Sequence, residues 1–550
     1  MTCARVIAGI AEANKSARIA IVAYVAFMVV VPLAAQLLFS PLGFNPTDDG
    51  FVLAYARRML DGQIPHRDFI AVHLAGSGLL HMPFVAFGGD YVYLASRFFV
   101  WVELAWTALA WTRASSILLA LPRDTLTELC TALIGFAFCS HYFPVMAWNT
   151  IDGLFLTASG VLLLTRAHTL AVATGCFLLG CAFICKQNYA LLAPAAIMAF
   201  GYSRKSLAWI AAVAPALLYA SIVVVSGGAQ DAFLQLTTQT GLVKTGLLRY
   251  LWEAAAGWGA LLGYLIAYFL YRSDGHSPHR IEIIAATVLL LLTFVEAGSA
   301  LAQGQFFDAP AFGLFGMAMG AAACFLVQQP DQSGAIKFGL LTVLLVWSSS
   351  LSIGYNSPAL GSGLAAIYLT SLARGALGTQ RAGRIGIAAV AVTVLCQFCI
   401  AREKYIYLET PAVQLNDRLD GLLPGGSGIY VDRNTHDFMA DLNAAIARAH
   451  GRYALVPDLA GYWPAAAQGN PLPTDWPQWF ELGRPELLDR ELRAIDRQRG
   501  DVTVIVQKVR AASLARGFIP LVDSDYYATA AYVRHHLTKI DETRYFALYR

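Results

Sequence analysis

Apolar runs of about 20 residues, the length that crosses hydrocarbon, recur through the first 400 positions of the chain. They predict membrane spans over 18–39, 91–112, 125–142, 148–165, 169–185, 188–202, 206–225, 252–271, 281–300, 310–327, 335–352, 358–373 and 385–401, thirteen in all. From 402 the pattern changes. Apolar runs shorten to strand length at Gly428–Asp432, Tyr453–Pro457, Val502–Val506 and Tyr545–Tyr549, with helical periodicity at about 434–449, 485–498 and 526–538. Strands alternating with helices predict a small α/β layer domain. The expected fold is therefore a polytopic α-helical membrane module, 1–401, followed by an α/β domain, 402–550.

Charge gives the spans a direction. With the N-terminus inside, the even-numbered connections carry Arg113, Arg123, Arg166, Arg204, Lys205, Arg272, Arg280, Lys337, Arg374, Arg381 and Arg384. The opposite loops are poorer in Lys and Arg, apart from Lys186, Lys244, Arg249 and the Arg57, Arg58, Arg67 group. The positive-inside rule then puts 402–550 outside the membrane. The first span, beginning near Arg18 with no small-residue cleavage site behind it, reads as a retained signal anchor.

Composition agrees: 57% of residues are hydrophobic and 14% charged, where soluble proteins carry about a quarter charged. The net charge of +3 says little about partners, and no nucleic-acid partner is expected. All nine cysteines precede the outer domain, which must hold together by packing rather than disulfides. Cys396 and Cys399 form a C-x-x-C inside an apolar helix, where the spacing reads as incidental.

The first outer loop, 40–90, is long and patterned. Asn45-Pro46-Thr47-Asp48-Asp49-Gly50 puts two adjacent carboxylates just after the first span. Thr47 or Asp48 is placed to cap a helix starting at Asp49, whose Phe51, Tyr55 and Met59 form a stripe suited to the membrane interface. A second interfacial helix is expected over 71–87, closed by Gly88-Gly89. The Trp- and Pro-rich stretch 462–480 reads as an ordered loop that packs on the membrane or over a sugar site.

Ionisable groups within spans cost about 2.5–3.5 kcal/mol each, so each needs a reason. Under this topology Arg97, Asp152, Lys186 and Glu296 fall near outer span ends, and Asp308 in an outer loop. Together with Asp48, Asp49, His141 and Gln187 they predict one outward-facing polar cavity; Glu103 lies deeper. Each has a plainer reading. Asp48 can be only a cap, Arg97 and Asp152 can neutralise each other, Glu296 can pair with a local donor, Lys186 can snorkel to lipid phosphate, and His141 can be a structural loop residue.

Asp48-Asp49-Gly50-Phe51, then Tyr55-Ala56-Arg57-Arg58-Met59-Leu60-Asp61-Gly62, then Pro65-His66-Arg67-Asp68-Phe69 resembles the first outer loop of membrane-integral GT-C glycosyltransferases. The likeness is to the protein O-mannosyltransferase and aminoarabinose-transferase-like group, and Phe87-Gly88 with Arg97 and Lys186-Gln187 resemble further motifs of it. Two departures stand out: Asp49 replaces the usual Glu, and His73-Leu74-Ala75-Gly76 replaces a Pro-Pro.

The resemblance implies an enzyme of a bacterial inner membrane that takes a sugar from a polyprenyl-phosphate donor. It passes the sugar to a hydroxyl on an extracytoplasmic lipid, glycan or protein, with inversion. Asp48 is then the general base and Asp49 its companion; Lys186, Arg58 and Arg97 meet the donor phosphate; His141, Asp152, Gln187 and Glu296 line the substrate cavity. A divalent metal beside Asp49 is left open, and no other cofactor is implied. Two other classes compete. A glycan polymerase or ligase would be expected to use a later outer loop rich in Arg and His, whereas 226–250 has only Lys244 and Arg249. A transporter would show paired halves, and no internal repeat is visible.

Overall fold

The computed structural model describes residues 2–140, 145–239, 257–263, 265–266, 308–328, 333–351, 357–377, 380–479 and 481–550. His141, Glu296, the expected span 281–300 and most of 252–271 lie outside the described residues. The helical module begins with α1 (Thr2–Phe39), followed by α2 (Phe51–Leu60), α3 (Gly76–Phe87), α4 (Val92–Leu118), α5 (Thr125–Ser140), α6 (Asn149–Leu164) and α7 (Thr169–Cys185). Then come α8 (Leu192–Ala199), α9 (Ser206–Val225), α10 (Ala229–Leu236), α11 (Asp308–Gln328), α12 (Ser333–Ser350), α13 (Ser362–Leu377) and α14 (Arg381–Lys404).

Among the described residues, five helices are long and apolar enough to cross a membrane: Ala17–Phe39, Gly89–Leu118, Ser206–Val225, Ser333–Ser350 and Arg381–Lys404. Five more apolar helices are shorter, among them Thr125–Ser140, Asn149–Leu164 and Thr169–Cys185. Ile19, Ile21, Val22, Leu37, Leu217, Leu218, Val392 and Ile400 point away from the protein, a surface only hydrocarbon would cover well. The chain is an integral membrane protein. One expected span fails outright: 188–202 is a 3-10 turn, Gln187–Leu191, followed by the eight-residue α8. At about 1.5 Å per residue, eight residues reach less than halfway across hydrocarbon.

Helix α4 is the axis of the module, packed by α1, α5, α6 and α13, with Trp101 and Trp111 fully buried. At its C-terminal end Arg113 and Arg374 converge on buried Glu128, at 2.6 and 3.3 Å, and Arg384 meets Asp124 at 2.6 Å. These are connections that the charge pattern assigns to one side of the membrane, and they do meet at one end of the bundle.

The C-terminal part carries two sheets. A short antiparallel pair joins β1 (Asp417–Arg418) to β2 (Tyr430–Val431). The larger sheet has the order β3-β4-β6-β5, with β3 (Arg452–Val456) parallel to β4 (Val502–Gln507), and β6 (Phe546–Tyr549) antiparallel to both β4 and β5 (Lys539–Glu542). Helices α15 (Arg433–Arg448), α16 (Pro485–Arg497) and α17 (Ala528–His536) accompany the strands. The fully apolar side chains of Val502, Val504, Ile505 and Val506 suit a strand buried on both faces. Strand β5 escapes sequence reading because Lys539-Ile540-Asp541-Glu542 is wholly exposed: it is a charged edge, with no apolar alternation to detect. Asp432 caps α15, accepting from the Thr435 amide at 2.7 Å.

This C-terminal domain sits on the first loop. The 3-10 segment Ala460–Ala465 packs on α2, and the Gly461 amide donates to the Pro46 carbonyl at 2.8 Å. Gly50 abuts Gly461 so closely that a Cβ at Gly50 would run into the Gly461 backbone. Arg58 of α2 bonds Asp475 at 2.6 and 2.9 Å, and Arg490 of α16 donates to the His66 carbonyl at 3.0 Å. Helix α2 is therefore enclosed, with Phe51 through Ala56 all buried, rather than presenting a stripe to the interface as expected.

Candidate functional site

The loop between α1 and α2 is shaped by its own side chains. The Asn45 side-chain oxygen accepts from the amides of Thr47 and Asp48 at 3.1 and 3.0 Å, a local turn of the kind Asn favours. Asp49 closes it by accepting from the Asn45 amide at 2.7 Å. From α4, Arg97 reaches in: it donates to the carbonyls of Ser40 (2.5 Å) and Gly43 (2.8 Å) and to Asp49 (2.9 Å). Arg97 thus pairs with Asp49, not with Asp152, so their mutual neutralisation is overturned. The expected cap is also absent: α2 begins at Phe51 after Gly50, with no side-chain cap.

That leaves the Asp48 carboxylate for other work. It is buried, and the Tyr407 hydroxyl donates to it at 2.8 Å. Burial, with the adjacent Asp49, raises its pKa to about 6, against the pull of Tyr407 and Thr47. Such a carboxylate is a stronger base than an ordinary surface aspartate. A small cleft beside it is lined by Asp49, Arg97, Val145, Arg402, Ile406 and Tyr407. The Arg402 guanidinium, stacked over Trp101 at 5.4 Å, adds a second buried cation beside Arg97.

Sequence reading missed Arg402, Tyr407 and Asp458. Asp458 comes from the C-terminal domain, directly after β3, and lies within electrostatic range of Asp48. It accepts from Gln478 at 2.7 Å, and burial together with Asp48 raises it to about 8. Its signal was present: an acid at the carboxyl end of an apolar strand, where α/β sheets place their sites.

The remaining candidates are distributed. Lys186, in the turn after α7, is buried and donates to the Thr150 hydroxyl at 2.8 Å, so it does not snorkel. Among the described residues it has no carboxylate partner, and burial lowers it to about 7. Gln187 donates to the Val72 carbonyl at 3.0 Å and holds His73 at 3.3 Å; His73 faces Lys186 electrostatically and packs edge-on against Phe51. Lys186 is thereby linked to the Asp48 loop through His73 and Phe51. Arg58 is a correction: its guanidinium is spent on Asp475, Gln63 and the Leu472 carbonyl, all structural partners. Asp152 is another, sealed against His81 at 3.1 Å rather than open to a cavity. Trp463 stacks on Tyr453 within the C-terminal part, and Trp476 packs on Phe51 of α2.

Several buried acids at this docking surface have raised pKa values, Asp458 and Glu491 each to about 8. An acid whose folded pKa exceeds its unfolded one stabilises fully below the unfolded value, and the gain is lost as pH rises through the folded value. The melting temperature is therefore expected to fall between about pH 4 and about pH 8. Asp458→Asn with Glu491→Gln should flatten that slope in thermal scans; an unchanged slope would place its cause elsewhere.

No protein-family model matches this chain, and no curated protein does. Among solved structures it is similar to the Archaeoglobus fulgidus oligosaccharyltransferase, in a crystal structure with Zn and sulfate: 11% identity, TM-score 0.44, over 89% of this chain and 67% of that one. The archaeal oligosaccharyltransferase AglB from Archaeoglobus fulgidus, in complex with an inhibitory peptide and a dolichol-phosphate, gives 11% identity, TM-score 0.41, and coverage of 88% of this chain and 69% of that one. These likenesses are distant, and the functional reading rests on the residues instead.

Proposed function

We propose that this protein is a GT-C-type membrane glycosyltransferase that moves a sugar from a polyprenyl-phosphate to a hydroxyl acceptor on the extracytoplasmic side. One observation carries the reading: Asp48 is held in a fixed loop at the end of a membrane helix, buried, raised to about 6 and next to a cleft with two arginines. Asp48 takes the acceptor proton as the hydroxyl oxygen attacks the anomeric carbon. The bond from that carbon to the phosphate oxygen breaks, and the lipid phosphate leaves with the electron pair. Arg97 and Lys186 meet its growing negative charge. Asp49 keeps Arg97 in place and so positions the loop.

The direct test is to incubate purified protein with a panel of polyprenyl-phosphate sugars and an acceptor mixture, and to measure release of the free lipid phosphate. Release with no sugar in the panel would end the reading. The pH profile is a second check. The rate constant kcat/KM should rise through about pH 6 as Asp48 ionises and fall above about pH 7 as Lys186 loses its proton. Lys186→Arg should remove the alkaline limb, and Lys186→Ala should impair use of the donor more than binding of the acceptor. An alkaline limb retained in Lys186→Arg would take Lys186 out of the phosphate site.

A further inference from the structure

Below the first loop, three ionisable side chains from distant parts of the sequence meet inside the helix bundle. They are His81 of α3, Glu103 of α4 and Asp152 of α6, all with no measurable exposure. Their donor atoms lie within 4.8 Å of one another, the only such group of three among the described residues. His81 Nε2 stands 3.1 Å from one Asp152 oxygen. Among the described residues no donor reaches the other Asp152 oxygen or either Glu103 oxygen, and the two carboxyls lie close enough to hydrogen-bond each other if one carries a proton. Two carboxylates stripped of water cost several kcal/mol each unless charge is balanced. Among the described residues no Lys or Arg forms an ion pair with either carboxylate: Arg97 pairs with Asp49, and Lys186 donates to the neutral Thr150 hydroxyl. His81 can supply at most one positive charge for two negative ones.

We propose that His81, Glu103 and Asp152 bind a divalent transition-metal ion, with zinc the first ion to test. One such ion balances both carboxylates and leaves the imidazole neutral, and one imidazole with two carboxylates is a donor set such ions accept. The outer shell fits as well. Ser96 Oγ lies 3.2 Å from His81 Nδ1; in the tautomer with Nδ1 protonated, Nδ1–H donates to that hydroxyl and the Nε2 lone pair is left for the ion. The ion would fasten α3 to α4 and α6, fixing the floor of the first outer loop without touching substrate. It is separate from Asp48 and from the transfer chemistry, so its fate and that of the glycosyltransferase reading are independent.

The full-length protein in detergent is stripped with chelator, loaded with Zn²⁺ or Mn²⁺ separately, passed through a desalting column and assayed for metal per chain. About one ion per chain should be retained, with a rise in melting temperature over the stripped form. Glu103→Gln and Asp152→Asn should each lose retention and the metal-dependent rise. Ser96→Ala keeps all three ligands and should weaken affinity about 10–100-fold, which covers the case where the ligand variants do not fold. The alternative occupant is a proton shared by the two carboxyls. Substoichiometric retention of both metals by the wild-type protein, or full retention in Ser96→Ala and in whichever ligand variant folds, would overturn the site in favour of that proton.

Discussion

Asp48→Asn is expected to abolish sugar transfer while leaving the protein folded. The amide keeps the size of the side chain and can still bond Tyr407, which at 2.8 Å is the one side chain outside the loop whose hydrogen bond to Asp48 is seen. Loop shape depends on Asn45, Asp49 and Arg97 instead, so it should persist. What is lost is a proton acceptor, and general-base catalysis contributes about 10²–10⁴-fold. The measurement is lipid-phosphate release under saturating donor, with gel filtration and thermal scans as the folding control. Turnover near wild type would remove Asp48 from the chemistry. A parallel collapse in melting temperature would mark it as a structural residue.

The second large effect concerns how the C-terminal domain stays on the membrane module. Arg58 and Asp475 form a buried ion pair, both nearly inaccessible, with Arg58 also bonded to Gln63 and the Leu472 carbonyl. Removing one partner leaves the other as a buried, uncompensated charge, a loss of about 3–5 kcal/mol. Arg58→Ala or Asp475→Ala should therefore lower the melting temperature sharply and expose the stretch around 466–480 to protease. An apolar replacement of both, Arg58→Met with Asp475→Leu, should recover much of the loss, because the desolvation cost disappears along with the attraction. If each single variant melted like the wild type, the docking would rest on other contacts.

Much of the architecture was legible because it is written in long apolar runs and short strands. The spans 91–112, 148–165, 169–185 and 206–225 fall on helices Val92–Leu118, Asn149–Leu164, Thr169–Cys185 and Ser206–Val225. The strands at 453–457 and 502–506 lie within a residue of those observed. What sequence patterns could not supply was pairing. Arg97 has an acid one turn into a neighbouring helix and another in the first loop, and only the packing of α4 against α1 selects Asp49. Arg58 looked like a cation for a ligand because its partner Asp475 lies more than four hundred residues away. Glu103 illustrates the same gap from the acid side: nothing local tells that this buried carboxyl faces another carboxyl, Asp152. His81 hid inside an apolar helix, where a single histidine carries no pattern.

The contact of Gly50 with Gly461 constrains how a large acceptor could reach Asp48. Main chain rests on main chain there, held by the Gly461 amide on Pro46, with no flexible side chains to act as bearings. Sideways sliding of one surface over the other would collide at once. Access to the first loop from this side therefore requires the C-terminal part to lift off it rather than to slide across it.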